Sequence, residues 1–235
     1  VPQRDARFPQ TWNFVFPPHE VASANHANDV SEQERTLALM CKRTLEMDVP
    51  EAMASMIARA QDEPWEYYRD MCRQLWDEAR HAMMGGIYFE HHGIPWRERL
   101  ALHMAFSLHL NLELAPQEAH IVLFAIEQSL MPAKTGKRYE WETTRTAGDD
   151  LAMLFQDYDW ADEVLHAQIG RRWLLPKLTT NINETMEVGW KLMSTFKNTV
   201  AKYEVRGEQH NWWPDFVRDT LGRDSMMTSY TSVRT

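Results

Sequence analysis

Residues 77–81 read Asp77-Glu78-Ala79-Arg80-His81, and residues 162–166 read Asp162-Glu163-Val164-Leu165-His166. Each pentad lies in a long proline-free stretch, 65–94 and 133–175, whose apolar residues recur at helical spacing. In a helix, residues three apart share a face, so the Glu and His of each pentad point the same way. One such helix offers an ion a carboxylate and an imidazole, and two facing each other offer ligands for two ions. The plainer reading of one pentad is a charged surface cluster with a nearby His; the repeat of the pattern favours metal binding.

Working outward, Ser31 followed by Glu34 is a capping-box pattern. A first helix is expected over 31–61, with Leu39, Glu46, Met53 and Ala60 on one row and a kink at Pro50. A second is expected over 64–92, a third over 95–130 interrupted at Pro116, and a fourth over 148–175. Residues 131–148 read as a long connection of the kind that caps a site. A fifth helix over 183–205 carries a stripe of Met186, Trp190, Met193, Phe196, Val200 and Tyr203. The expected organisation is an extended Pro/aromatic arm at 1–30 (Phe8, Trp12, Phe14, Phe16), a helical domain at 31–205 and a tail at 206–235. Within the domain the metal-binding bundle spans 31–176. The fold class expected is all-α: an antiparallel four-helix bundle with an additional C-terminal helix and extended termini.

Composition agrees. Only 9 glycines in 235 residues disfavour a turn-rich β fold, and a net charge of −9 disfavours broad contact with nucleic acid or anionic membranes. Lys134, Lys137 and Arg138 form a local basic patch in the 131–148 connection. Cys41 and Cys72 are too few for a disulfide framework and read as buried, reduced thiols. No apolar run reaches the roughly 20 residues that span a bilayer, and no signal-like segment is seen, so a cytoplasmic location is expected.

Register selects partners for the pentads. Glu78 lies about 15 residues, or about 22 Å, beyond the turn near 62–64, and the same distance back reaches Glu46. Counting forward from Pro95 reaches Glu113, and Glu163 follows Gly148 by a similar length. Glu46 lies among Leu39 and Met53, where an unpaired carboxylate would be costly, whereas Glu51 belongs to a more polar row. Glu118 is the rival to Glu113, because Pro116 shifts the helical phase; Glu127 sits still nearer the helix end. The predicted ligand set is therefore Glu46, Glu78, His81, Glu113, Glu163 and His166. Asp159, His120 and Glu118 are candidates for a further ligand, although His109, His120 and Asp159 also read as satisfied interior groups. Tyr88 and Tyr158 are redox candidates whose commoner role is packing. Phe106, Leu110, Phe124 and Phe155 could line an apolar pocket.

One Glu from each of two helices, plus Glu-x-x-His from each of two others, resembles the ferritin-like di-iron and di-manganese carboxylate superfamily. The stretch Asp162-Glu163-Val164-Leu165-His166-Ala167-Gln168-Ile169-Gly170 is similar to the last metal helix of its small oxygenases and oxidases. The resemblance implies two Fe ions, with Mn as the alternative, dioxygen as co-substrate, and Asp77 and Asp162 as acceptors for the outer ring nitrogens of the histidines. It implies a non-haem oxygenase or oxidase acting on a small organic substrate, with an electron donor as partner, and is compatible with a homodimer. Neither membrane nor nucleic acid is expected as a partner. Without a Cys-x-x-Cys pair, a rubredoxin-like module is not expected. The competing functions are a ferroxidase or iron-storage protein, a manganese catalase, a tRNA-modifying hydroxylase and a metal-free helical interaction module.

Overall fold

The computed structural model describes residues 17–26, 28–100, 105–203 and 211–225, and every regular element among them is helical. In order these are α1 (Pro17–Val21), α2 (Glu32–Leu45), α3 (Asp48–Arg59), α4 (Trp65–His91), α5 (Trp96–Arg99), α6 (Ala105–Leu108), α7 (Pro116–Ser129), α8 (Lys137–Ala147), α9 (Asp150–Leu178), α10 (Ile182–Met193), α11 (Phe196–Tyr203) and α12 (Trp213–Leu221). A short π-helical turn, His109–Glu113, joins α6 towards α7. The all-α expectation holds. No described helix is long and apolar enough to cross a membrane.

Helices α4 and α9 are the two long pillars, and they run antiparallel. Asp70 meets Trp173 and Arg172, His81 meets Asp162, and Tyr88 meets Asp149, so partners descend one helix as they climb the other. The shorter helices pack around them in two tiers. Helices α2 and α8 touch each other and flank α4 and α9 respectively; α3 and α7 do the same at the other end. Helix α10 covers α7, where Gly189 lets the backbones close in: a Cβ there would meet Ala125 Cβ at 2.5 Å and Ile121 O at 2.9 Å. At Gly85 of α4, a Cβ would meet Met40 O and Thr44 N of α2 at 2.8 Å.

Several expected boundaries move. The first helix is two helices, α2 and α3, and the break falls at Glu46–Met47 rather than at Pro50. Pro50 stands in the first turn of α3, where its missing N–H breaks no intrahelical bond. The third helix does not run from 95: α5, α6 and the π turn precede a new start at Pro116, capped by Glu118 Oε2, which accepts Ala115 N at 2.8 Å. The 131–148 connection is mostly helix α8, held between α2 and α9. The fourth helix extends through Pro176 in its last turn. The fifth is broken between α10 and α11, and residues 204–205 of it lie outside the described residues. Trp190 of the expected stripe is 44% exposed.

Ser31 caps α2 as the sequence predicts, accepting Glu34 N at 3.2 Å. The Glu34 carboxylate, however, accepts Trp213 Nε1 of α12 at 2.9 Å, so the tail packs on the α2 end of the body through buried Trp213 and Phe216. Of the N-terminal arm, α1 packs on α2; Phe8, Trp12, Phe14 and Phe16 lie outside the described residues. Cys41 is buried as expected, but Cys72 is exposed on α4.

Candidate metal centre

The functional side chains meet at mid-height, where α2 and α7 end, α3 and α8 begin, and only α4 and α9 pass through. The sequence produces those ends locally. Glu46 caps the C-terminus of α2, and Asp48 opens α3. Gly136 lies so close to Leu130 O that a Cβ would stand 1.9 Å from it, and this tight turn places Lys137 at the first position of α8.

Two groups of potential ligand atoms form there: Glu78, Glu127, Glu163 and His166 in one, and Glu46, His81 and Asp159 in the other. The atoms within each group lie within 4.8 Å of one another. Glu78 spans both: its Oε1 is 3.2 Å from His166 Nδ1 and its Oε2 is 3.7 Å from His81 Nδ1. Glu163 does likewise, at 3.3 Å from His166 and 4.0 Å from His81. Glu46 and Asp159 stand 3.6 and 3.5 Å from His81 Nδ1, and Glu127 stands 3.9 Å from His166 Nδ1.

The outer faces of the imidazoles are held crosswise. His81 Nε2 lies 3.1 Å from Asp162 of the opposite pillar, and His166 Nε2 lies 3.5 Å from Asp77. Arg80 ties the two aspartates together, donating to Asp77 at 2.8 Å and Asp162 at 2.6 Å. Asp162 thus holds His81 by a hydrogen bond, while Asp77 stands 3.5 Å from His166 Nε2, which has no hydrogen-bond partner among the described residues. The inner atoms are bare: His81 Nδ1, His166 Nδ1, Glu46 Oε2 and Glu163 Oε2 are buried and have no hydrogen-bond partner among the described residues. Buried polar atoms are almost always paired, so these orphans, shared between the two groups, fit ligands for cations.

Two buried cations share the cavity. Arg43 Nη2 lies 2.7 Å from Glu46, and its Nη1 pairs with Asp159. Lys137 Nζ donates to both Asp159 oxygens at 2.9 and 3.0 Å and lies 3.2 Å from Glu163 Oε1. This charge pattern sets the protonation of the metal-free chain. Burial pushes Glu46 up to about 7 against the pull of Arg43 and Lys137. Burial and then the charge of Glu163 hold Glu127 well above the usual carboxylate range. Burial also opposes ionisation of Glu163 and Glu78, but Lys137 holds Glu163 low, and the two histidines hold Glu78 at about 2. Against burial, Asp159, Asp162 and Glu78 raise His81 to about 10, and Asp77, Glu163 and Glu78 raise His166.

No family model, curated protein or solved structure matches this chain.

Of the predicted ligands, Glu46, Glu78, His81, Glu163 and His166 come together, and so does Asp159 from the additional candidates. Glu113 is corrected. It is exposed and accepts Lys202 Nζ at 2.9 Å, because counting from Pro95 assumed a continuous helix that restarts at Pro116. Glu118 serves as the α7 cap. His120 is buried elsewhere, 3.5 Å from Tyr67 OH, and does not reach the cluster. His109 is a satisfied interior group, bonded to Thr199 Oγ1 at 2.8 Å and near Leu192 O.

The residues that sequence reasoning missed are Glu127, Lys137 and Arg43. Glu127 closes the apolar run Ile121–Ile126, a buried carboxylate marked by its surroundings. Lys137 was grouped with Lys134 and Arg138 as a basic patch, but it is 1% exposed. Tyr88 donates to Asp149 at 2.7 Å, and Tyr158 is exposed. Phe106, Leu110, Phe124 and Phe155 pack into the body; none lines the larger described cleft. That cleft, about 610 Å³, lies beyond Tyr88 among Leu37, His92, Ile94, Asp149 and Leu221. Tyr88 is two turns along α4 from His81, about 10 Å, so the cleft is separate from the cluster.

Proposed function

We propose that the cavity holds two divalent transition-metal ions, iron by default, and that the protein is a non-haem oxidase or oxygenase with a ferritin-like bundle as its metal-binding body. The observation that carries this reading is the pair of buried imidazole Nδ1 atoms without partners, facing carboxylates that span both pockets. Oxygen-rich donors with one nitrogen per pocket suit iron or manganese better than zinc. Even with Arg43 and Lys137 among the carboxylates, burial and the charge of Glu163 hold Glu127 well above the usual carboxylate range, and a metal ion there would offset that charge.

Bound ferrous ions would supply electrons and open coordination positions for dioxygen. The chain's own part is to hold and to orient. Asp162 and Asp77 stand at the outer edges of the imidazoles so that Nδ1 faces inward, and Arg80 bridges the two aspartates and holds them in place. Against burial, the surrounding carboxylates raise the pKa of His81 to about 10 and that of His166 in the same direction, and a metal ligand must be neutral imidazole, so ion binding would compete with protons. A small organic substrate and an external electron donor complete the reading. The test is metal analysis after anaerobic ferrous loading, followed by dioxygen uptake. Two ions per chain and metal-dependent oxygen consumption are expected. A chain that takes up neither Fe nor Mn would sink the proposal.

A further inference from the structure

The two pockets differ in one respect that their ligand types do not reveal. In the Glu78–Glu127–Glu163–His166 pocket Glu127 is held by the neutral Gln74, whose Nε2 donates at 3.0 Å, and Lys137 reaches the pocket at its edge, 3.2 Å from Glu163 Oε1. The Glu46–His81–Asp159 pocket holds two cations: Arg43, whose Nη2 lies 2.7 Å from Glu46 and whose Nη1 pairs with Asp159, and Lys137. Lys137 Nζ sits 2.9 and 3.0 Å from the two oxygens of Asp159 and 3.2 Å from Glu163 Oε1, and it is 1% exposed. An ion coordinated by Asp159 needs the same oxygens at about 2.0–2.2 Å. Ammonium and ion cannot both hold them, and the two charges repel.

Lys137 also has somewhere to go. Glu140, one turn further along α8, has its Oε2 3.7 Å from Lys137 Nζ and is itself buried. A modest rotation of the lysine stem exchanges Asp159 for Glu140. Lys42 already donates to the other Glu140 oxygen at 2.6 Å, which keeps Glu140 in position to receive the second cation.

We propose that Lys137 is a tethered cation standing in one of the two metal pockets, so that divalent ions bind in sequence. The first enters beside Glu127 and His166. The second enters beside Glu46 and His81 only as the ammonium turns from Asp159 to Glu140. This rests on the reading that the cavity binds metal, and the test separates the two claims.

The metal-free full chain is titrated with Mn(II) at constant pH, with free Mn(II) followed by electron paramagnetic resonance and heats by calorimetry. Wild type is expected to bind one equivalent tightly and a second at least about tenfold more weakly. Lys137→Met strengthens the second equivalent and narrows the split, with Arg43 still standing in that pocket; Lys137→Arg, which keeps the charge, preserves the split. Glu140→Gln removes the place where the ammonium docks and weakens the second equivalent further, giving a readout that does not depend on how well Lys137→Met folds. His166→Ala abolishes the tight equivalent. Two equal equivalents in wild type, or an unchanged split in a folded Lys137→Met, would overturn the sequential proposal and leave the metal reading standing. Absence of Mn(II) binding in both wild type and Lys137→Met would overturn both.

Discussion

Glu127 and Glu113 make opposite predictions, and the contrast tests the centre directly. In the metal-free chain, burial and the neighbouring Glu163 hold the Glu127 carboxyl well above the usual carboxylate range. Glu127→Gln puts an uncharged amide of the same shape where ionisation is already opposed, and the unfolding free energy without metal should change by less than about 1 kcal/mol. With an ion present at a hundred times its Kd, wild type gains about 2.7 kcal/mol. For a chain of this length that is about 5–10 °C in Tm. Loss of one charged oxygen ligand removes about 1.5–3 kcal/mol, nearly the whole gain. Glu113→Gln breaks only an exposed pair with Lys202, which contributes about 0–1 kcal/mol, and should keep the full metal-induced shift. The assay is thermal unfolding with and without Mn(II). A Glu127→Gln protein that keeps the shift while Glu113→Gln loses it would refute the assignment and restore the count from Pro95.

Other consequences are equally accessible. Asp162→Asn weakens the acceptor shared by His81 and Arg80, and ion binding in the His81 pocket should fall by about 10–100-fold in a Mn(II) titration; an unchanged affinity would mean that the imidazole is oriented by packing alone. Gly189→Ala places a methyl against Ala125 and the Ile121 carbonyl and should destabilise by about 1–3 kcal/mol in urea unfolding, while a neutral result would show that α10 can shift. His120, buried beside Tyr67, has its pKa lowered to about 3 by burial and by Lys177. The unfolded chain, with an imidazole near about 6.5, binds the proton more readily. Stability is therefore full above that pH and declines as pH falls towards 3, by about 5 kcal/mol at full extent. His120→Gln should flatten this acid limb in urea midpoints measured between neutral and mildly acidic pH; parallel curves would assign the acid loss elsewhere.

The parts of this molecule that sequence reasoning found are those carried by unbroken periodicity. The pentads of α4 and α9 lie in the middle of helices of 27 and 29 residues, so the three-residue spacing translates into a shared face without error. Glu46 was legible because α2 and α3 both pack along α4, so the distance counted back from the turn near 62–64 survives the break between them. Glu113 failed where phase was carried across a restart, since Pro116 begins a helix rather than interrupting one. Lys137 failed for a different reason. Basic residues near Gly136 and Pro132 read as a local patch on a long connection, whereas the tight turn against Leu130 drives the chain back into the body. No local signal says that a lysine will be buried, because the partners that stabilise it, Asp159 and Glu163, come from another helix.

The mid-height junction has a consequence for how such a protein can vary. Glu78 and Glu163, the carboxylates common to both pockets, belong to helices that pass through the cavity, so their spacing is tied to the whole length of the packed pair. Glu46, Glu127 and Lys137 stand beside chain reversals instead. Insertion or deletion of one residue at 46–47 or within 130–136 would re-aim a single contributor and leave the shared pair where it is. The architecture therefore separates what is common to the two pockets from what distinguishes them, and a lineage could change the selectivity of one pocket by altering loop length without touching the frame.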